Sequence, residues 1–434
     1  MKKIIHNFFW LFSDRILKMV IALVVGIWIV RYFGPDYFGK FNYVIAWLTL
    51  MAAMVPLGTE SILVAELVKD SDNKESILAS SFILYLVTSL IFTILSIGFV
   101  IITKPEDSEI FSIVLILSLP YFIRCFTVPR FYFESVLLIK RVVIIENVFL
   151  IAFTLLKIFF LYKSYPFIYF IWSFALEGIF VSISIFIYYL TKVSNISLKI
   201  FSWSRTKNLI RASFPLFLSS LAIILYMKVD QIMIGNMIGD KELGIYSVAV
   251  RMSELWYFVP MAISSSFYPH LINLYEDNKD QYWFELQRLH VILFIISFSV
   301  AIGVQIFADW GIKFLYGVNF EESSRILKIH VWSGIFVFLG VAGSNHFIID
   351  NIQKYSFYKS LVGLITNVIL NLILIPKIGI YGAALATLVS QIFASSLFLI
   401  LNHKTRVLFS FQIKVLKIWR WKYFLQYPLE IVPN

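Results

Sequence analysis

Cysteine, charge and long polar connections are all scarce in this chain, and each scarcity removes a class of explanation. The single cysteine, Cys125, excludes an internal disulfide and a thiolate metal cluster, and its apolar neighbours make it a small packing residue. Charged residues make up only 15% of the chain against 60% hydrophobic, so there is too little polar surface to cover a soluble core. The six histidines are scattered: His270, His290, His330 and His346 show no ligand spacing, and only His346 suits a polar lining. No GxxxxGK[ST] phosphate loop occurs, so ATP drive would have to come from another chain. No connection is long enough to fold alone, which leaves no extended outer loop to carry the catalytic acids or bases of a membrane glycosyltransferase or polymerase.

What fills the chain is apolar runs. A stretch of about 20 apolar residues crosses a bilayer core, and such runs lie near 9–32, 41–64, 78–103, 110–128, 142–162, 166–190, 212–238, 245–274, 289–310, 326–349, 357–375 and 381–402. The expectation is an all-α integral membrane protein of about twelve transmembrane helices. The first run follows Lys2 and Lys3, exceeds a signal-peptide core and has no small-residue cleavage site, so it reads as a retained helix. Aromatic residues, 18% of the chain, gather near the run ends, where amphipathic rings suit the bilayer interface.

Lys and Arg concentrate in alternate connections, including 191–211 and the segment after 402, which predicts that both termini are cytoplasmic. The net charge of +11 is therefore a topology signal, and no nucleic-acid partner is implied. The two basic connections, SLKIFSWSRTKNLI and FSFQIKVLKIWRWKYF, mix cations with aromatics, as helices lying on an anionic leaflet do.

One turn pattern occurs twice: Gly34, Gly39 and Phe41, then Gly239, Gly244 and Tyr246 at the same spacing. It divides the chain into two six-helix lobes, 1–200 and 201–402, followed by a basic aromatic cytoplasmic tail, 403–434. An even number of spans per lobe puts the pseudo-twofold axis along the membrane normal.

The turn sequences RYFGPDYFG (31–39), VDQIMIGNMIGDKELGIYSVAVRMSELWYFVP (229–260) and NLILIPKIGIYGAALAT (371–387) resemble the polysaccharide repeat-unit flippases of the multidrug/oligosaccharidyl-lipid/polysaccharide exporter superfamily. The resemblance covers about residues 1–400 and does not extend to the tail. It implies an alternating-access transporter, not an enzyme, in a bacterial cytoplasmic (inner) membrane. Its cargo would be undecaprenyl-diphosphate-linked oligosaccharide, turned to the outer leaflet for O-antigen or capsule synthesis. Pathway glycosyltransferases and a polysaccharide polymerase are the implied partners.

Such a cargo has a diphosphate and a glycan to shelter from hydrocarbon, so a polar, cationic cavity between the halves is expected. A charge at mid-bilayer costs about 2.5–3.5 kcal/mol on insertion scales, and each intramembrane cation needs a partner or a cavity. Arg15 and Lys18 share a face of the first helix and suit a diphosphate, although Asp14 at i−4 can neutralise Lys18 while Arg15 snorkels. Lys228 and Asp230, with Arg251 and Glu254 on the next helix, reach similar depth and form an expected interhelical cluster. It serves either as a salt-bridge brace or as a cargo and coupling site. Aligning Gly34 with Gly239 puts Leu23, Val25, Ala46 and Thr49 opposite those four charges, so the scaffold repeats and the charges do not. Glu60, after Pro56 and Gly58, suits gating or proton uptake, or merely caps a helix. Glu146, Glu177, Asp309 and Asp350 read as interfacial. The expected coupling is to H+ or Na+ through Asp230 and Glu254, with no bound cofactor and no metal site. Two other readings remain, an ion-coupled exporter of small amphipathic cations and a membrane enzyme acting on lipid-linked sugars.

Overall fold

The computed structural model describes residues 2–416, and among them every regular element is a helix. The helices fall into two compact units, Met1–Ile224 and Leu225–Asn434.

The first unit holds α1 (Lys2–Met54), α2 (Glu60–Lys69), α3 (Lys74–Thr103), α4 (Ser108–Phe122), α5 (Pro129–Ser135), α6 (Lys140–Tyr162), α7 (Phe167–Lys192) and the start of α8 (Trp203–Met237). The second holds the rest of α8, α9 (Asp240–Glu254), α10 (Phe258–Asp277), α11 (Lys279–Tyr316), α12 (Glu321–His330), α13 (Ser333–Ile349), α14 (Lys354–Ile378), α15 (Ile380–Ser395) and α16 (His403–Lys414). Leu63, Ile77, Tyr85, Phe131 and Tyr189 centre the larger core of the first unit. Leu271, Tyr282, Leu289, Phe338 and Leu408 do the same in the second.

The repeated turn is visible in the backbone. Gly34 breaks α1 at φ 80°, ψ −177°, and Gly239 separates α8 from α9 at φ 141°, ψ 177°. That combination of positive φ and extended ψ is open essentially to glycine alone. Pro35 and Asp240 then start the next helical segments, as suits a first turn.

Among the described residues, eight helices have the length and apolar composition to cross a membrane, or ten if each of two bent pairs is one span. The difference from about twelve has two sources. The two arms of α1, divided by the kink at Gly34, count there as the single stretch Leu17–Met54, and the expected span 245–274 is interrupted by a 3-10 turn at Leu255–Tyr257 between α9 and α10. The bent pairs are α4 with Arg124–Ser135, turning 40°, and Val318–His330 with α13, turning 45°.

The division between units falls inside α8, between Ile224 and Leu225, and not at 200/201. Early α8 closes on the turn before α2, where a Cβ on Gly58 would stand 2.7 Å from the Phe217 nitrogen. Late α8 belongs to the second unit, where Tyr226 touches Gly363 and its hydroxyl lies 3.3 Å from that of Ser390. The basic segment before α8 is tied down through Ser76 and Ser80 to the backbone of Ile200 and Ser202, and by Arg205 to Asp70 at 2.9 Å. Asn73 and then Arg205 hold the Asp70 carboxyl below its ordinary range.

The expected tail begins as structure. Residues 403–414 form α16, which buries Thr405, Leu408 and Phe411. The Phe411 ring meets Trp283 and His290, and Gln412 donates to the Ser395 carbonyl at 2.9 Å. Apolar residues recurring on one face of 403–414 give this segment a buried side, which a free tail lacks. Residues 417–434 of the expected tail lie outside the described residues.

Candidate functional site

In the first unit, two sharp local features turn charged side chains inward. The α1–α2 connection passes through Leu57 (φ 47°) and Gly58 (φ 71°), so α2 starts in a new direction at Glu60. The chain after α4 tightens into a 3-10 turn at Arg124–Thr127, and α5 starts with Pro129. Together with α7 these segments enclose a cavity of about 810 Å³, whose polar wall includes Glu60, Tyr85, Tyr121, Arg124, Arg130 and Glu134.

Arg124 donates to the Ala52 carbonyl at 3.2 Å and faces Glu60 at 3.6 Å, a separation of charges too long for a hydrogen bond. The Glu60 side chain is 52% exposed, so this pairing is open to exchange. Arg130 is held more firmly, by Glu134 at 3.0 Å and by Glu146. Glu146 in turn binds Lys18 at 2.5 Å, and Lys18 binds Asp14 at 2.9 Å. An ion chain Asp14–Lys18–Glu146–Arg130–Glu134 therefore staples α1, α6 and α5. Behind the cavity wall, the buried Lys157 pairs with Glu177 at 2.7 Å and lies 3.8 Å from the Phe174 ring.

In the second unit, Asp230 is 4% exposed and fully engaged by neutral donors. Its carboxylate accepts from the Tyr246 hydroxyl at 2.5 Å, the Thr387 hydroxyl at 3.4 Å and the Gln231 amide at 2.7 Å. Asn367 donates to Thr387 and Ser390, and Asn371 donates to Asn367 at 2.8 Å. The Asn371 side-chain oxygen is buried without a partner, which leaves acceptor capacity at the far end of this chain of hydrogen bonds. Among the described residues no group of three or more His, Cys, Asp or Glu could hold a metal ion.

The predicted residues separate accordingly. Glu60 lines the first-unit cavity. Lys18 is neutralised by two carboxylates, which is the brace reading of that helix. Arg15 lies on α1, but its side chain is outside the described residues. Lys228 has no carboxylate within 4 Å among the described residues, yet its charge reaches both Asp230 and Glu254. Arg251 lies on α9 with Glu254 and bears electrostatically on Tyr316 of α11. Glu146, read as interfacial, is 6% exposed at the centre of the ion chain, because two cations on other helices compensate it.

Sequence reasoning did not single out Arg130 and missed the ring of amides and hydroxyls around Asp230. The available signal was Asn367 and Asn371 at i, i+4 in an otherwise apolar helix, NVILN, where unpaired amides are costly.

Comparison with known proteins agrees with this architecture. The capsular polysaccharide biosynthesis protein CapF of Staphylococcus aureus is 24% identical over 399 residues, covering 90% of this chain and 97% of that one. The probable flippase AglR of Haloferax volcanii is 27% identical over 226 residues, 51% of this chain and 45% of that one. In structure the chain resembles the lipid II flippase MurJ in its inward closed conformation, with a TM-score of 0.70 at 18% identity over 98% of this chain and 93% of that one. The MatE family matches residues 215–373. The family described as polysaccharide biosynthesis protein matches residues 4–275, more than half of the sequence, and the chain belongs to that family.

Proposed function

We propose that the protein is a flippase that moves lipid-linked oligosaccharide across a membrane for cell-surface polysaccharide synthesis, with the first-unit cavity as its headgroup site. The observation that carries this reading is the pair Arg124 and Arg130 at a cavity of about 810 Å³ inside an otherwise apolar bundle. Guanidinium groups bind phosphate oxygens in a planar fork, and in a low-dielectric wall such bonds are strong. Membership of the polysaccharide biosynthesis family and likeness to proteins named as flippases support the same cargo class. In this reading the chain acts as a transporter rather than an enzyme.

In this reading the cargo is undecaprenyl-diphosphate-linked, the membrane is a bacterial cytoplasmic membrane, and both termini are cytoplasmic, in keeping with the Lys and Arg bias of the connections. Arg124 and Arg130 take the diphosphate, and Glu60 yields Arg124 to it. Asp230, with Lys228 and Glu254 in its field, couples transport to H+ or Na+: a buried carboxylate beside the Tyr246 and Thr387 hydroxyl oxygens offers hard ligands to a small cation and a resting place to a proton. Pathway glycosyltransferases and a polymerase supply and consume the cargo.

A second reading, export of small amphipathic cations, has one observation in its favour, the MatE match over 215–373, which includes Asp230 and Glu254. Deleting the chain in its native cell separates the two. The flippase reading expects surface polymer to vanish while the lipid-linked precursor accumulates on the cytoplasmic leaflet. Precursor reaching the outer leaflet at the normal rate, with drug accumulation raised instead, overturns it.

A further inference from the structure

The cavity of the first unit does not end in bare aliphatic wall. Phe174 and Gly178 of α7 line it, and so does Ile45 of α1. One helical turn from Ile45, on the same face, stands Phe41, whose ring is 5.3 Å from that of Phe174. The series continues: Phe41 meets Phe167 at 6.5 Å, and Phe167 meets Tyr37 at 5.2 Å and Phe33 at 4.9 Å. Phe167 lies two turns from Phe174 on the same face of α7. Five rings thus run from the cavity wall to the turn at Gly34, which the charge bias of the connections assigns to the outer side.

Packing of α1 on α7 does not require all of them. Phe170, at 0% exposed, with Val25 and Ile29 forms a small core against which Phe33 and Phe174 also pack. Lys157 covers the Phe174 face, but Phe41 and Phe167 are only half-buried and Tyr37 is exposed, so the middle of the series keeps open ring area.

We propose that this series is a carbohydrate track, along which the glycan of the cargo passes from the cavity toward the outer side while its diphosphate is held at Arg124 and Arg130. The proposal rests on the flippase reading and adds where the sugars go. A pyranose ring carries an apolar C–H face bordered by hydroxyls. An aromatic face covers the former without stripping water from the latter, and successive rings offer equivalent stations that hold no sugar too tightly. The prenyl tail is the less suitable occupant, because hydrocarbon already receives it and it needs no lined path. Continuity with the arginine-lined cavity favours sugar for the same reason: the glycan is joined directly to the phosphates bound there.

The test is a binding titration of the purified full chain with prenyl diphosphate carrying no sugar, one sugar or several. Each of the first added sugars is expected to tighten binding about two- to tenfold, the scale of one aromatic contact. Phe41→Ala with Phe167→Ala flattens that dependence and leaves the affinity for bare prenyl diphosphate unchanged, and Phe41→Tyr with Phe167→Tyr restores it, which a loss of folding would not. Binding of bare prenyl diphosphate with no dependence on sugar number overturns the track and leaves the flippase reading standing. A dependence that survives in the alanine variant, or one on prenyl length that this variant abolishes, also overturns it. Failure of every prenyl diphosphate to bind removes the flippase reading and the track together.

Discussion

The two candidate sites, one in each unit, meet the same problem, charge inside an apolar bundle, in opposite ways. The first pairs charge with charge: Lys18 with Asp14 and Glu146, Arg130 with Glu134 and Glu146, Arg124 with Glu60. The second surrounds a buried carboxylate with neutral donors, Tyr246 and Thr387, and a line of asparagines behind them. Both are built on the same glycine turn, at Gly34 and Gly239. A repeated scaffold therefore does not carry a repeated site. The exchangeable pair, Arg124 with Glu60, suits an anionic cargo that can take the carboxylate's place. A fully hydrogen-bonded carboxylate suits a small cation or a proton, which enters without a competing charge to displace.

The largest effect should come from removing the cationic side of this contrast. Arg124→Ala together with Arg130→Ala deletes two charge-assisted contacts worth about 1.5–3 kcal/mol each. Affinity for prenyl diphosphate should fall by tenfold or more, and surface polymer with it. Unchanged affinity in the double variant would mean that the first-unit cavity is not the headgroup site. Asp230→Asn addresses the other side. It keeps the side-chain shape and removes the charge, so flipping in proteoliposomes should lose its response to an H+ or Na+ gradient while prenyl diphosphate still binds within about twofold. A variant that still responds to the gradient would dissolve the assigned contrast between the units.

Much of the architecture was legible because bilayer physics is local. Apolar runs such as 357–375 and 381–402 mark α14 and α15 without reference to any other part of the chain. The glycine turns could be read because the conformation at Gly34 and Gly239 leaves little choice of residue. The sites were less legible because their partners are distant. Thr387 meets Asp230 across 157 positions, and Glu146 meets Lys18 across 128. Period and hydropathy carry no information about such pairs. Arg130 was hidden for a different reason: the bend of 40° after α4 turns what looks like connection into cavity wall.

A smaller effect tests whether the shared scaffold is truly shared. Gly34 has nothing within 4 Å of the site of an added Cβ, and Gly239 has only the end of the Glu242 side chain at 3.4 Å. Alanine at either position meets backbone strain and little else, at a cost of about 1–3 kcal/mol. Gly34→Ala and Gly239→Ala should therefore lower the thermal midpoint by similar amounts. A loss confined to one of them would show that the turns are alike in sequence but not in strain.

The smallest effects sort the cations of the second unit. Lys228→Ala should reduce gradient-driven flipping several-fold, since Lys228 shares the field of Asp230 and Glu254. Lys241, exposed in the first turn of α9, is the reference point. Lys241→Ala removes a solvated charge from a surface and should change stability by no more than about 0.5 kcal/mol, with flipping at the level of the unaltered protein. If Lys241→Ala impairs flipping as much as Lys228→Ala at matched expression, the sensitivity belongs to net charge and not to position. The carboxylate half of the comparison would then lose its claim to be a site.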